Sequence, residues 1–215
     1  MKDIAIYGAG GYGREVACYL ESINQVKEEW NLIGFFDDGF DKGDDMQYGP
    51  VLGGIEELNN WESNLSVVFA IGTPRIIKKI VSKIINNRIC FPNIIDPSVL
   101  FLDKSSVKMG QGNVIGPNSV ISCNVKLGSF NLINLLCHMG HEASLGDYNV
   151  LMPSVNICGG VTIGCSNLLA IKSTVLQYLT IQDNILLGAG SVLMADSKSD
   201  CKYFGNPAKA IMKND

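Results

Sequence analysis

The sequence predicts a two-part chain: a Rossmann-like α/β domain over residues 1–95, then a parallel β-helix of hexapeptide repeats over residues 96–215 that ends in a tail. Three observations carry this reading. The second half holds an unbroken six-residue phase. The first residues spell a strand, a glycine-rich turn and a helix. The composition is apolar for a soluble monomer, with 47% hydrophobic and 18% charged residues.

The phase is visible when the chain is cut into sixes from Val107: VKMGQG, NVIGPN, SVISCN, VKLGSF, NLINLL, CHMGHE and onward to SVLMAD. All fifteen third places are Leu, Ile, Val or Met. Those four types make up about a third of the chain, so chance would give this roughly once in ten million. A sandwich of ordinary strands has period two and irregular loops, and holds no such phase. Each hexad supplies a short strand and a corner, three hexads close one coil, and residues 18 apart stack at about the 4.8 Å of paired strands. Fifteen hexads predict five coils. The fourth place is often glycine (Gly110, Gly116, Gly128, Gly140, Gly146, Gly164, Gly188), which is expected to permit the tight corner.

In the first domain, DIAIYGAGGYGREVACYLESIN reads as a strand, a turn and a helix with Val16, Ala17, Leu20 and Ile23 on one side. Gly8, Gly10 and Gly13 fit G-x-G-x-x-G, which lets N–H groups at a helix start approach a phosphate. A second strand, NLIGFFDD, ends in Asp37 and Asp38, where a dinucleotide domain carries its ribose-binding acid. A third, SVVFAIG, leads into TPRIIKKIVSKII, whose Thr73 and Pro74 suit a cap and first turn. RICFPNIIDPS reads as a last strand and linker. About four strands fit before the repeat, too few for the two halves of a dinucleotide site. A mononucleotide, such as the diphosphate end of an activated sugar, then fits better than NAD; a purely structural glycine turn is the third reading.

Net charge is −4 with no basic cluster, which argues against nucleic acid as a partner. No apolar stretch is long enough to span a bilayer and the N-terminus reads as a strand, so a cytoplasmic location without membrane contact is expected. The seven cysteines show no Cys-x-x-Cys pair and are expected to be reduced. Both histidines lie in CHMGHE, residues 137–142. Met139 takes the inward third place, which leaves His138 in the second and His141 in the fifth, neither forced into the core. Zinc would need further ligands that the sequence does not group, so no metal is expected.

The order of IYGAGGYGREVA, GFFDD, FAIGTPRIIKKI, GHEASLGDYN, CGGVTIG, LLGAGSVL and FGNPAKAI resembles the sialic acid O-acetyltransferase family and its relatives that N-acetylate amino sugars on UDP or GDP. The resemblance implies a left-handed coil and a homotrimer with acetyl-CoA between adjacent prisms. It implies His141 as general base, a task that suits an imidazole because its pKa lies near neutrality. Glu142 would orient it, or Asp147, or a carboxylate of an adjoining subunit. It puts the oxyanion donor at Gly159, the pantetheine arm along Ala170, Ile171, Ala189 and Gly190, and Lys209 at a coenzyme phosphate. Gly8, Gly10, Gly11 and Gly13 would cradle the sugar nucleotide's diphosphate, with Asp37 or Asp38 at the base or ribose and Thr73 and Arg75 at the end of the third strand. Two departures are that His138 has no counterpart and that Val150 stands where some relatives carry a polar group. The expected activity is acetyl transfer from acetyl-CoA to an amine, or a hydroxyl, of a nucleotide-activated sugar. An oxidoreductase using the glycine turn and a non-catalytic binding prism are the readings from other classes.

Overall fold

The computed structural model describes residues 1–213, and the chain divides into two units, Met1–Pro97 and the remainder from Ser98. In the first, β1 (Lys2–Tyr7), α1 (Gly11–Val26), β2 (Trp30–Phe36), β3 (Asp45–Met46), β4 (Gly49–Gly53), α2 (Ile55–Asn59), β5 (Leu65–Phe69), α3 (Pro74–Val81) and β6 (Ile89–Cys90) build one sheet of order β3-β4-β2-β1-β5-β6. All neighbours are parallel except β3 and β4. The interior of β1, Ile4–Ala5–Ile6, is fully buried, as a strand covered on both faces must be. Helix α1 buries Val16, Ala17 and Leu20 as its period requires, whereas Ile23 is only half-buried.

The expected four strands are six. The hairpin β3–β4 lies in DMQYGPVLG, a stretch too short and too rich in glycine for a strand period to show. Strand number therefore does not by itself separate a nucleotide-sugar site from a dinucleotide site.

In the second unit every hexad contributes a two-residue strand, from Lys108–Met109 to Val192–Leu193. The strands stack 18 residues apart into three parallel faces. His138–Met139, for example, pairs with Val120–Ile121 on one side and Asn156–Ile157 on the other. Stacking starts earlier than the phase showed: Leu100–Phe101 pairs with Val120–Ile121 at an offset of 20, because a short 3-10 turn at Lys104–Ser106 lengthens that coil. The third-place side chains are buried from Ile115 to Leu193, and only Met109, in the first coil, is partly open. A final strand, Cys201–Gly205, continues one face beyond Leu186–Leu187 and turns back as Ala208–Lys213.

The corners correct the expectation about glycine. The left-handed residue is the sixth of each hexad, not the fourth: from Gly112 to Gly190 every sixth place has φ between +55° and +69°, whether it is Gly, Asn, Phe, Leu, Glu, Tyr, Ser or Lys. The fourth-place glycines serve close approach instead. A Cβ on Gly140 would lie 2.5 Å from the Gly159 nitrogen, and one on Gly146 would lie 2.7 Å from the Gly164 oxygen.

One column of buried polar residues carries no apolar signal in the sequence. Asn113, Asn131, Asn149 and Asn167 occupy the first place every 18 residues and form a ladder inside one corner. Each carboxamide oxygen accepts the backbone N–H of the residue one coil on: Asn113 from Asn131 at 3.0 Å, Asn131 from Asn149 at 2.8 Å, Asn149 from Asn167 at 2.9 Å and Asn167 from Ile185 at 2.7 Å. This satisfies amide groups that bury in the corner.

Candidate active site

In the first unit, β1 has β2 on one side and β5 on the other, so the connections leave in opposite directions and open a crevice at the strands' C-terminal ends. The sequence-predicted residues gather there. Gly8 has φ +116° and a Cβ on it would lie 2.7 Å from the Ala70 oxygen, and a Cβ on Gly13 would collide with the Gly8 oxygen. Gly10 has open space around it and Gly11 has only the end of Arg14 nearby. Gly10 caps α1 with no side-chain bond and no acid stands in the first turn, so the helix start is suited to an anion.

Asp37 accepts the Ala9 N–H at 2.8 Å and the Gly39 N–H at 2.9 Å, which ties the end of β2 to the glycine turn. Asp38 accepts the Tyr7 hydroxyl at 2.7 Å and the Ile55 N–H at 3.0 Å. Burial, followed by this bond to Asp38, pushes the Tyr7 hydroxyl well above its ordinary pKa. Both aspartates thus brace the crevice. Thr73 caps α3 through its backbone alone, without the expected side-chain bond, and Arg75 is exposed in the first turn. Beside Asp37 and Asp38 lies an open hollow of about 260 Å³ that also takes in Lys42 and Glu57. A second hollow of about 510 Å³, lined by Lys42, Leu52 and Trp61 among others, includes no residue of the glycine turn. Lys42 and Trp61 carry no motif that would have singled them out.

In the β-helix, His138 lies half-buried on the outer side of one face and His141 in the corner that follows it. The fifth places of this corner stack as Cys123, His141, Gly159 and Gln177. The imidazole occupies the space over Gly159: a Cβ there would collide with His141 Nε2. Among the described residues no acceptor takes the Gly159 N–H. Glu142 is the left-handed residue of its hexad, φ +60°, and that turn brings its Oε2 to 3.7 Å from His141 Nδ1. The gap exceeds a hydrogen bond and both side chains are more than half exposed, so the pair contributes little to stability.

Asp147 does not take that part within the chain. It sits at a different corner, where its Oδ1 accepts the Ser129 N–H at 2.7 Å. Val150 is fully buried on another face and is not beside His141.

Ala170, Ile171, Ala189 and Gly190 share a third corner on consecutive coils, tied by the Gly190 N–H to the Ile171 oxygen at 2.9 Å. The C-terminal hairpin is bound to the same corner. The Gly188 N–H donates to the Tyr203 oxygen at 2.8 Å, the Gly205 N–H donates to Ser191 Oγ at 3.0 Å, and Phe204 covers Gly188. Lys209 pairs with Phe204 across this hairpin and is exposed. One chain therefore carries His141 and the Gly159 amide on one corner, and Ala170, Ile171, Ala189 and Gly190 on another. Among the described residues no group of three or more His, Cys, Asp or Glu is placed to hold a metal ion, and no helix is long and apolar enough to cross a membrane.

Residues 3–84 match the family described as the PglD N-terminal domain. GDP-perosamine N-acetyltransferase of Escherichia coli O157:H7 is 27% identical over 199 residues, 90% of this chain and 78% of that protein. Over most of its length the chain is therefore similar to a sugar N-acetyltransferase. An acyl-[acyl-carrier-protein]–UDP-N-acetylglucosamine O-acyltransferase of Pseudomonas entomophila (strain L48) is 29% identical over 113 residues, 49% of this chain and 44% of that one. Among solved structures, a variant of perosamine N-acetyltransferase from Caulobacter crescentus in complex with CoA and GDP-perosamine superposes with a TM-score of 0.89 at 24% identity, covering 99% of this chain and 98% of that one. The acetyltransferase domain of PglB from Neisseria gonorrhoeae FA1090 with acetyl coenzyme A gives 0.87 at 24%, covering 98% and 99%. The resemblance read from the seven motifs is borne out, as is the fold of an α/β region followed by a left-handed β-helix.

Proposed function

We propose that this chain is an acetyl-CoA-dependent N-acetyltransferase acting on a nucleotide-activated amino sugar, with His141 as general base. The observation that carries the reading is the pairing at one corner of an exposed imidazole with a bare backbone N–H, that of Gly159. In this mechanism His141 Nε2 removes the proton from the sugar's amine as its nitrogen attacks the thioester carbon. The Gly159 N–H holds the oxyanion, and the carbon–sulfur bond then breaks to release CoA, whose thiolate takes up the proton that His141 removed. A positioned base contributes roughly 10²–10⁴ in rate. Glu142 lies on the far side of the ring, at Nδ1, where a carboxylate favours the tautomer with Nε2 free. Catalytic hydrogen bonds in unliganded sites are commonly long and tighten in the complex.

The diphosphate of the acceptor is assigned to Gly10, Gly11 and the start of α1, with Gly8 and Gly13 shaping the turn and Asp37 and Asp38 fixing its outer wall. Thr73 and Arg75 flank the crevice from the end of β5. The coenzyme arm is assigned to Ala170, Ile171, Ala189 and Gly190, with Lys209 at a phosphate. Because base and arm stand on different corners of one prism, the reading requires a second copy to complete the site, which a homotrimer supplies.

The test is His141→Asn, assayed with acetyl-CoA and with GDP-perosamine as acceptor probe. Turnover is expected to fall roughly 10²–10⁴-fold while the affinity for acetyl-CoA holds. Full activity in the variant overturns the assignment of the base. A hydroxyl analogue of the probe separates N- from O-acetylation, since a hydroxyl depends more heavily on its base.

A further inference from the structure

The corner that carries His141 holds a second ring that the mechanism above does not use. Tyr178 occupies the sixth place one coil beyond Gly160, and its ring lies so close that a Cβ on Gly160 would collide with it. His141, one coil before Gly159, stands against Gly159 in the same way. Two rings thus converge, from the coil before and the coil after, on the dipeptide Gly159–Gly160, whose missing side chains make the room. The same device recurs at another corner, where Phe130 covers Gly112, but there the ring is enclosed. Phe130 is 6% exposed and Tyr148 stacks on it at 5.5 Å and 4°. Tyr178 is 72% exposed.

We infer that Tyr178 sets the size of the acyl group this site transfers, its ring forming the end wall of the acyl pocket so that a two-carbon group fits and longer chains do not. The inference rests on the proposed use of His141 and Gly159. A thioester carbon is planar, with oxygen, sulfur and the acyl carbon around it. With the oxygen on the Gly159 N–H and the sulfur leading away to the pantetheine residues of another corner, the acyl carbon lies beside the Gly159–Gly160 dipeptide. On the Gly159 side stand the imidazole and the incoming nucleophile. On the other side is Gly160, roofed by the ring. An acetyl methyl stops short of the ring, whereas a longer chain must enter its volume. One methylene in an apolar pocket changes discrimination by about 10–200-fold.

The test measures the affinity of the full chain for acetyl-CoA, propionyl-CoA and butyryl-CoA by titration calorimetry, which needs no acceptor. The unaltered chain is expected to bind acetyl-CoA about tenfold or more tighter than butyryl-CoA. Tyr178→Gly should shrink that gap to about threefold or less, and Tyr178→Phe, which keeps the ring, should retain it. Folding is not at risk in the glycine variant, because Tyr178 has φ +60°, a conformation glycine adopts without strain. A gap that is absent from the unaltered chain, or unchanged in Tyr178→Gly, overturns the inference. His141→Asn in the same series keeps the two readings apart. It should keep the gap and lose turnover, and if it keeps turnover the base assignment falls, whatever Tyr178 does.

Discussion

Two corners of the same prism are built from the same hexad and end in opposite states. At the corner of the asparagine ladder, successive fifth-place amides are capped by the side chain one coil on: the Gln111 N–H by Ser129 Oγ at 3.3 Å, Ser129 by Asp147 at 2.7 Å, Asp147 by Cys165 Sγ at 3.4 Å and Cys165 by Asp183 at 2.6 Å. Its sixth-place rings, Phe130 and Tyr148, stack on each other. At the corner of His141 the first places are Val125, Ala143, Val161 and Leu179, with no ladder, and the residue that would cap His141 is Gly159, which has no side chain. The first corner spends its polar groups on holding the coils together. Among the described residues, the second leaves the Gly159 amide and the Tyr178 phenol unengaged and holds the imidazole only by the 3.7 Å approach of Glu142. In a fold this repetitive, a functional site is expected where the repeat stops satisfying itself.

The sharpest way to break this contrast is to give the second corner a side chain. Gly159→Ala places a methyl where the imidazole now lies. The colliding group is the free end of an exposed side chain, so the coil is expected to survive and the ring to swing aside. Displacing a reacting group by about 1 Å costs on the order of 10²-fold in rate. We therefore expect kcat to fall at least about 10²-fold with the Tm held within a few degrees, read by steady-state kinetics and a melting scan. An active Gly159→Ala chain would show that the open corner is not where the chemistry occurs.

Removing a rung of the ladder should have the converse effect. In Asn149→Ala the buried Asn167 N–H loses its acceptor, and Asn131 Oδ1 and the Gly164 oxygen lose the donor that reaches them at 3.1 and 2.9 Å. A buried polar group left unpaired costs about 1–3 kcal/mol, so a loss of about 3 kcal/mol is expected in denaturant unfolding. Activity per folded molecule should be unchanged. A fall in activity without a fall in stability would mean that the two corners are coupled.

What could be read from the sequence follows from how loudly each feature is written. The inward third place is written in side-chain type, Met109 to Leu193, and gave the coil, its period and the separation of His141 from the core. The left-handed sixth place has no such script. Phe130, Leu136, Glu142, Tyr148 and Lys172 share one backbone conformation and little chemistry, so the more conspicuous fourth-place glycines draw the expectation of a tight corner instead. The asparagine ladder recurs at intervals of 18, but a polar residue in a first place carries no inward signal until the coil closes around it. Tyr178 is silent in the sequence because its meaning comes from Gly160, 18 residues earlier. In the first unit the glycine turn was legible, since Gly8 and Gly13 are forced by close contacts. The hydrogen bonds of Asp37 and Asp38, and the hairpin β3–β4, depend on tertiary neighbours.

The sixth place also provides the gentlest test of how uniform the corners are. A side chain in the left-handed region costs roughly 1 kcal/mol against glycine, and the repeat carries that cost at nearly every corner because the packing of the coils over-determines the turn. Lys172 has φ +57°, an exposed side chain and a backbone N–H donated to the Pro153 oxygen at 3.0 Å, a bond that any residue can make. Lys172→Gly should therefore stabilise the chain, by up to about 1 kcal/mol, with part of the gain offset by the greater freedom of glycine in the unfolded chain. A rise in the denaturation midpoint at constant m-value would show that strain at these corners is tolerated for the sake of the coil. A fall would mean that the lysine side chain itself, next to Ile171 on the corner assigned to the coenzyme, holds something in place.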